Sequence, residues 1–123
     1  MDDIRDEDRQ VVNINTTPYS PWIEEDGSEA DYSYIQLGEN ITPGVGFHIF
    51  KMHPGSKSTP HEHTDHEEFL VLEGELTDHD GYVYRQGDLV WLRKGTQHWS
   101  HTEHGCTLAV YIGKQEKNFP REG

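Results

Sequence analysis

The stretch HEHTDHEEFLVLEG, residues 61–74, joins three histidines and several acidic residues, among them Glu67, to an apolar run. Alternate side chains of an extended strand face the same side, so His61 and His63 can present two imidazoles to one ion. Glu67 begins the apolar run and shares a strand face with Phe69 and Val71, so its carboxylate is expected to point inward with them. The stretch therefore predicts a metal-binding strand edge.

Short runs rich in β-branched and aromatic residues make up most of the remaining chain, and turn residues separate them. The segment from residue 16 to 31 contains two prolines, one glycine and an acidic cluster around Trp22, which predicts an irregular connection. This spacing predicts an all-β barrel or sandwich. The predicted strands are Tyr32 to Leu37, Val45 to Met52, Glu67 to Leu76, Tyr82 to Arg85, Leu89 to Leu92 and Thr107 to Ile112.

The chain has 123 residues, which predicts one domain over residues 11–123, preceded by a mobile acidic tail at residues 1–10. Its formal net charge of -13 opposes binding to nucleic acid and to anionic membranes. The single cysteine, Cys106, stands at the start of a predicted strand and is expected to be a packed thiol. The N-terminal residues lack the apolar stretch of a signal peptide, and no segment reaches membrane-spanning length, so we expect a cytoplasmic protein.

His98 follows a turn at residues 94–97 and is the candidate that closes the metal site from a neighbouring strand. Three imidazoles and one carboxylate suit zinc, iron, nickel or manganese better than calcium or magnesium, which prefer oxygen ligands. We therefore expect one divalent ion, with Fe²⁺ or Zn²⁺ leading and Ni²⁺ or Mn²⁺ as alternatives. The ligands would be His61, His63, Glu67 and His98.

Two other metal signatures share these histidines. The spacing of His61, His63, Asp65 and His66 matches the metallo-β-lactamase motif, but that fold needs a much longer chain with alternating helices. A zincin helix needs two histidines four residues apart, whereas His66 lies five residues from His61. Both alternatives are rejected.

The pattern resembles the two motifs of the cupin family. Gly55, His61, His63, Glu67 and Gly74 occupy the fixed positions of the first motif, in residues 55–74. The second motif, in residues 87–102, is matched by Gly87, Gly95 and His98, while Arg93 stands where the family usually has proline and Thr102 where it often has asparagine. The resemblance implies a small single-domain RmlC-like cupin, a jelly-roll barrel of the double-stranded β-helix type.

The sequence of residues 67–75 and 105–108 is particularly similar to that of ChrR-like cupins, the group that includes the zinc-binding domain of an anti-sigma factor. The similarity extends to small cupin dioxygenases acting on diketones and aromatic ketones. Two hypotheses follow. The leading one is a metal-dependent enzyme on a small molecule, for example such a dioxygenase, and the alternative is a non-catalytic sensor or binding module. By analogy with other cupins, a homodimer is expected.

Several side chains near the predicted ligands are candidates for roles in binding or catalysis. Glu67 could serve as a base as well as a ligand. His66, His101 and His104 could each transfer protons near the metal, with His101 as the candidate, although a solvated loop position is favoured for all three. His48 and His53 are undecided between barrel interior and rim, and His79 is expected to be exposed. Apolar walls of a substrate pocket, or simply core packing, are expected from Phe50, Trp91, Trp99 and Tyr111, with Arg93 as a cation at its mouth.

Overall fold

The computed structural model describes residues 1–120, and residues 121–123 of the predicted domain lie outside the described residues. Within residues 1–120 there is no α-helix, and a single 3-10 turn spans Asp6–Asp8 in the acidic tail. The other elements are eleven strands. They are β1 (Ser20–Ile23), β2 (Glu29–Ile35), β3 (Gly46–Met52), β4 (His61–Glu62), β5 (Glu67–Asp78), β6 (Val83–Arg85), β7 (Leu89–Leu92), β8 (Gln97–His98), β9 (Ser100–His101), β10 (Cys106–Ile112) and β11 (Lys117–Asn118).

The prediction of an all-β fold is confirmed. A large antiparallel sheet has the order β1-β2-β3-β10-β5-β6, with β7 and β9 also paired to β5, and a small sheet has the order β11-β4-β8. The six predicted strands correspond to β2, β3, β5, β6, β7 and β10. The predicted irregular segment before residue 31 is wrong in part, because β1 forms there and pairs with β2.

Strand β5 is the strand with the most pairing partners in the large sheet, and its two halves pair with different strands. Its first half lies between β10 and β7, and its second half pairs with β6 and β9. The register between β5 and β10 shifts between Val71 and Glu73, so Leu72 is an extra residue of β5. Gly74, just beyond the shift, has a φ of +81°. A Cβ at Gly74 would collide with the carbonyl oxygen of Gly105, so only glycine fits this close approach of two strands.

The shift at Leu72 changes which residues of β5 point into the core. Before it, Glu67, Phe69 and Val71 are buried, and after it Leu76 and Asp78 are buried. The core also takes alternate residues from β10 and β3. Residues of both sheets line one interior cavity. Cys106 is buried there, as predicted. The fully packed members are Tyr32, Met52, Phe69, Val71, Leu76, Tyr84, Cys106, Leu108, Val110 and Ile112.

The acidic tail is exposed throughout residues 1–10. Its one recorded tertiary hydrogen bond runs from the Gly38 amide to Gln10 Oε1, 2.7 Å. The mobility of the tail stays a prediction. Helices long and apolar enough to cross a membrane do not occur in the described part of the chain.

Candidate metal centre

The predicted ligands are brought together where the small sheet meets the start of β5. His61 in β4 lies directly opposite His98 in β8 in the antiparallel ladder, and His63 follows β4 by one residue. Glu67 is the first residue of β5. All four residues are buried, and the His63 side chain has no exposed surface. Thirty-five residues separate His63 from His98, so the barrel itself assembles the site.

Four donor atoms of these residues point at one another. The Nε2 atom of His63 lies 3.2 Å from His61 Nε2, 2.9 Å from His98 Nε2 and 3.2 Å from Glu67 Oε1. Atoms bonded to one metal ion at about 2.1 Å are separated by roughly 3.0–3.4 Å. The cluster of three histidines therefore has the donor spacing of a metal site. Glu67 Oε1 stands beside this cluster, close to His63 Nε2 but 3.8 Å from His98 Nε2.

The outer nitrogens of two histidines fix which ring nitrogen is free to bind. His61 Nδ1 lies 2.7 Å from the carbonyl oxygen of Thr59, and His98 Nδ1 lies 2.9 Å from Asp78 Oδ1. A carbonyl or carboxylate oxygen only accepts hydrogen bonds, so each Nδ1 must carry the proton. The Nε2 atoms of both rings then present lone pairs to the same point, which suits a cation there.

Asp78 holds His98 in this orientation and was missed as a site residue. Its carboxylate is buried and accepts hydrogen bonds from His98, from the Ser100 hydroxyl and from the Tyr84 hydroxyl, the last at 2.5 Å. Burial alone would raise the pKa of Asp78, but these three hydrogen bonds outweigh it and lower the pKa. An ionised carboxylate behind a metal-binding histidine is a common arrangement in metal sites.

The pKa values of two ligand histidines are shifted in opposite directions. Burial, together with the neighbouring His98 ring, lowers the pKa of His61 to about 4, so its ring is neutral at neutral pH and free to bind a cation. Burial would lower the pKa of His63 as well, but the adjacent carboxylates, led by Glu67, raise it overall. Without an ion the cluster thus attracts a proton to the position where a metal cation would sit.

A second carboxylate, Glu116, lies beside the cluster. It stands between β10 and β11, outside both sequence motifs, and its Oε2 is 3.4 Å from His61 Nε2. Burial and the charge of Glu67 raise the pKa of Glu116 to about 7. No sequence signal placed it here, because 49 residues separate it from Glu67.

A cavity of about 140 Å³ opens onto the histidine cluster. His61, Glu67 and His98 form one side of it, and the remaining walls are largely apolar. His48 also lines it, with its Nδ1 3.0 Å from the Gly46 carbonyl oxygen. That contact places the Nδ1 proton and leaves His48 Nε2 as an acceptor. Apolar side chains of the lining include Trp22, Phe50, Met52, Phe69, Leu76, Leu108, Val110 and Ile112.

The predicted pocket walls are corrected in part. Phe50 lines the cavity, but Trp91, Arg93, Trp99 and Tyr111 do not. Strand alternation is the physical reason, because each of the four neighbours an inward-facing residue and therefore points outward. Trp91 and Tyr111 are 55% and 41% exposed, and Lys57 Nζ lies 4.1 Å from the centre of the Trp99 ring.

The other histidines divide between interior and surface. His48 is buried, which places it in the barrel interior, whereas His53, His79, His101 and His104 are exposed. His101 packs against the Trp99 ring on the outside and does not line the cavity. A role in proton transfer at the metal site is therefore not supported for His101 by its position. The ring of His66 lies between the rings of Trp91 and Tyr111.

The sequence profile of the family described as the ChrR cupin-like domain matches residues 7–116. The chain belongs to this family. The resemblance to cupins is thereby confirmed over nearly the whole length of the chain. No curated protein sequence matches it.

Solved structures confirm the cupin fold. A putative acetylacetone dioxygenase from Methylibium petroleiphilum superposes with a TM-score of 0.71 at 12% identity, covering 98% of this cupin and 85% of that chain. An acetylacetone dioxygenase from Acinetobacter johnsonii gives 0.65 at 18% identity, covering 89% and 78%. The polyketide cyclase RemF from Streptomyces resistomycificus gives 0.66 at 18% identity, covering 93% and 87%. At such identities the likeness establishes the fold and not the activity.

Proposed function

We propose that this cupin is a metal-dependent enzyme acting on a small, largely apolar molecule, with dioxygenation of a diketone or aromatic ketone as the leading reaction. The observation that carries the proposal is the cavity of about 140 Å³ that opens directly onto the buried donor cluster. A purely structural metal site is normally closed by its protein ligands, whereas a catalytic site keeps access to the ion.

The size and lining of the cavity define the class of substrate. An apolar cavity of about 150 Å³ accommodates a molecule the size of benzene. The cavity therefore suits a compound with about six to eight non-hydrogen atoms. Such a compound would place an oxygen toward the histidines and its hydrocarbon part against residues such as Phe50 and Leu108.

The chain supplies the metal ligands and the polar groups around the substrate. His61, His63 and His98 would hold the ion, with Glu67 as fourth ligand or as a base toward an acidic C–H group. A divalent ion bound there would polarise a carbonyl or enolate oxygen, and iron would also provide redox chemistry with O₂. His48 Nε2 would accept a hydrogen bond from an enol or hydroxyl group.

The experiment has two stages. The metal content of protein purified without chelators is measured first, and oxygen uptake is then followed on a panel of diketones and aromatic ketones after loading with Fe²⁺. We expect one ion per chain and uptake with at least one substrate. Tightly bound zinc with no uptake after iron loading would contradict the oxygenase.

Substitutions test the ligands independently of the reaction. His63→Ala and His98→Ala should each abolish stoichiometric metal binding, because each removes a buried donor. His79→Ala should leave it intact, because His79 is exposed on the hairpin between β5 and β6. Metal retained by the first two variants would contradict the site.

A non-catalytic sensor or binding module is the second candidate, and membership of the ChrR cupin-like family favours it. In that case the same cluster would hold a metal with a structural role, or a ligand that is bound and not converted. The two candidates differ in turnover: the sensor would bind ligands in the cavity without consuming oxygen. The homodimer, the cytoplasmic location and the lack of nucleic-acid binding stay predictions.

A further inference from the structure

The segment of residues 114–119 lies beside the metal centre, where Gln115, Glu116 and Asn118 line the cavity, and we name it the C-terminal strap. We propose that Glu116 of this strap is a positioning residue of the metal centre, accepting a hydrogen bond from His63 Nδ1 when the ion is bound. The inference rests on the proposed metal site and adds a residue that lies outside both sequence motifs.

The strap is held beside the ligand-bearing strand β4 by backbone and side-chain contacts. Its residues Lys117 and Asn118 form β11 and pair with Glu62 and His61. The Thr64 hydroxyl donates a hydrogen bond to the carbonyl oxygen of Gln115, 2.7 Å. The Phe119 amide also donates to the carbonyl oxygen of Pro60, 2.7 Å. Anchors therefore lie on both sides of Glu116 and restrict where its side chain can go.

His63 is the one ligand histidine whose outer nitrogen lacks a hydrogen-bond partner among residues 1–120. The outer nitrogens of His61 and His98 both have acceptors, and the His63 ring is completely buried, so water does not reach it. An unpaired buried N–H group is destabilising, because it has given up its hydrogen bond to water without gaining another. Metal-binding histidines nearly always donate their second N–H group to a carboxylate or carbonyl oxygen.

Glu116 is placed to fill this gap. Its Oε2 lies 3.9 Å from His63 Nδ1, about 1 Å beyond a hydrogen bond. Nδ1 is the His63 nitrogen closest to this carboxylate, whereas the Nε2 atom of the same ring faces the other ligands. The same Oε2 also lies 3.4 Å from His61 Nε2, so Glu116 stands at the edge of the cluster. Toward His63, however, it faces Nδ1, the nitrogen through which an acceptor orients the ring.

The charge of a bound ion would also favour a hydrogen bond between His63 and Glu116. A divalent ion brings two positive charges into a region where the nearest acidic side chains are Glu67 and Glu116. Binding would withdraw electron density from His63 through Nε2 and make its Nδ1–H a stronger donor. The attraction of the carboxylate for that donor would close the remaining distance and draw the strap onto the site.

Zinc affinity and the coordination of cobalt together test this role. Zn²⁺ affinity is measured by chelator competition for the wild-type protein, Glu116→Ala, Glu116→Gln and the control Glu68→Ala. The control removes the same charge from the outer face of β5. We expect Glu116→Ala to weaken binding by about 10- to 100-fold, as removal of an outer partner typically does. Glu116→Gln should lose less, because its amide oxygen still accepts, and Glu68→Ala should change little.

Two spectra distinguish a positioning residue from a ligand or from a general charge effect. Nitrogen-15 NMR of the zinc form should detect a slowly exchanging His63 Nδ1–H in the wild-type protein and in Glu116→Gln, and its loss in Glu116→Ala. The absorption of the Co²⁺ form should keep the same coordination number in all variants. A lower coordination number in Glu116→Ala would overturn the proposal in favour of direct ligation, and equal losses in Glu116→Ala and Glu68→Ala would overturn it in favour of charge alone.

The failure of this inference is distinguishable from failure of the proposed function. If the wild-type protein binds Zn²⁺ and the affinity of Glu116→Ala is unchanged, only the role of Glu116 is overturned. If the wild-type protein binds no divalent ion, the metal-dependent function and the role of Glu116 are overturned together.

Discussion

Replacement of Asp78 by asparagine should weaken metal binding without touching a ligand. The Asp78 carboxylate receives three hydrogen bonds, from His98, Ser100 and Tyr84, and an amide oxygen can replace only part of this acceptor capacity. The amide NH₂ group would face donors that it cannot satisfy, so the His98 ring loses its fixed tautomer. We expect a 10- to 100-fold loss of Zn²⁺ affinity, which corresponds to about 1.4–2.7 kcal/mol.

The same change should also destabilise the apoprotein. If two of the three hydrogen bonds are lost at about 1–3 kcal/mol each, the free energy of unfolding falls by about 2–6 kcal/mol. Urea titration followed by circular dichroism measures this loss and ensures that affinity is compared only for folded protein. Asp80→Asn is the matched control, because Asp80 is exposed in the adjacent turn and accepts a hydrogen bond from a backbone amide. A folded Asp78→Asn variant with wild-type affinity would refute the orienting role.

Three further predictions concern the barrel and its cavity. Gly74→Ala should lower the free energy of unfolding by about 2 kcal/mol more than Gly81→Ala. Both glycines have positive φ, but only a Cβ at Gly74 would collide with the backbone of Gly105. Equal urea midpoints for the two variants would contradict this. Burial raises the pKa of Cys106 to about 11, so its thiol should react with a disulfide reagent at pH 8 only after unfolding, and fast labelling of native protein would contradict the burial. Phe50→Ala should change the dissociation constant of a cavity ligand, measured by calorimetry, whereas the exposed Trp91→Ala should not; the reverse order would contradict the cavity walls.

The strands and the three-histidine cluster were predictable because each depends on local sequence. A run such as Leu89–Leu92 is bounded by turn residues on both sides, and the structure places that strand at the predicted residues. The donors were predictable because their spacing is set by strand alternation and by a motif with two glycines. Where local period and local turns determine the position of a side chain, the sequence was sufficient.

Asp78 was not predictable by the same reasoning, since it depends on a change of phase within one strand. Counting in steps of two from Glu67 places residue 77 inward and Asp78 outward. The register shift at Leu72 reverses this, so Asp78 points into the barrel and reaches His98. Nothing in the sequence marks Leu72 as the extra residue of a bulge. Glu116 escaped prediction because only the pairing of β11 with β4 brings it to the site.

The outward aromatic residues illustrate a prediction that alternation could have corrected. Once Glu67 is assigned to the interior, its neighbour Glu68 must face out, and the structure pairs Glu68 with Trp91 and Tyr111 in adjacent strands. Aromatic character alone favoured these residues as pocket walls. The alternation of the strand determines which face of the sheet Trp91 and Tyr111 occupy, and their hydrophobicity does not.

The two motifs contain the histidine donors, whereas other residues around them lie outside the motifs. This difference matters for which metal and which reaction the site could support. The inner donors follow from two short motifs that fit a fold with many activities, so they cannot by themselves select a metal or a reaction. Under the proposed function, selectivity would then depend on the groups beside the donors and in the cavity wall, namely Asp78, Glu116 and His48. Exchange of these three residues should therefore alter metal preference and turnover more than any change on the exposed sheet face, and it should do so while the three-histidine cluster stays assembled.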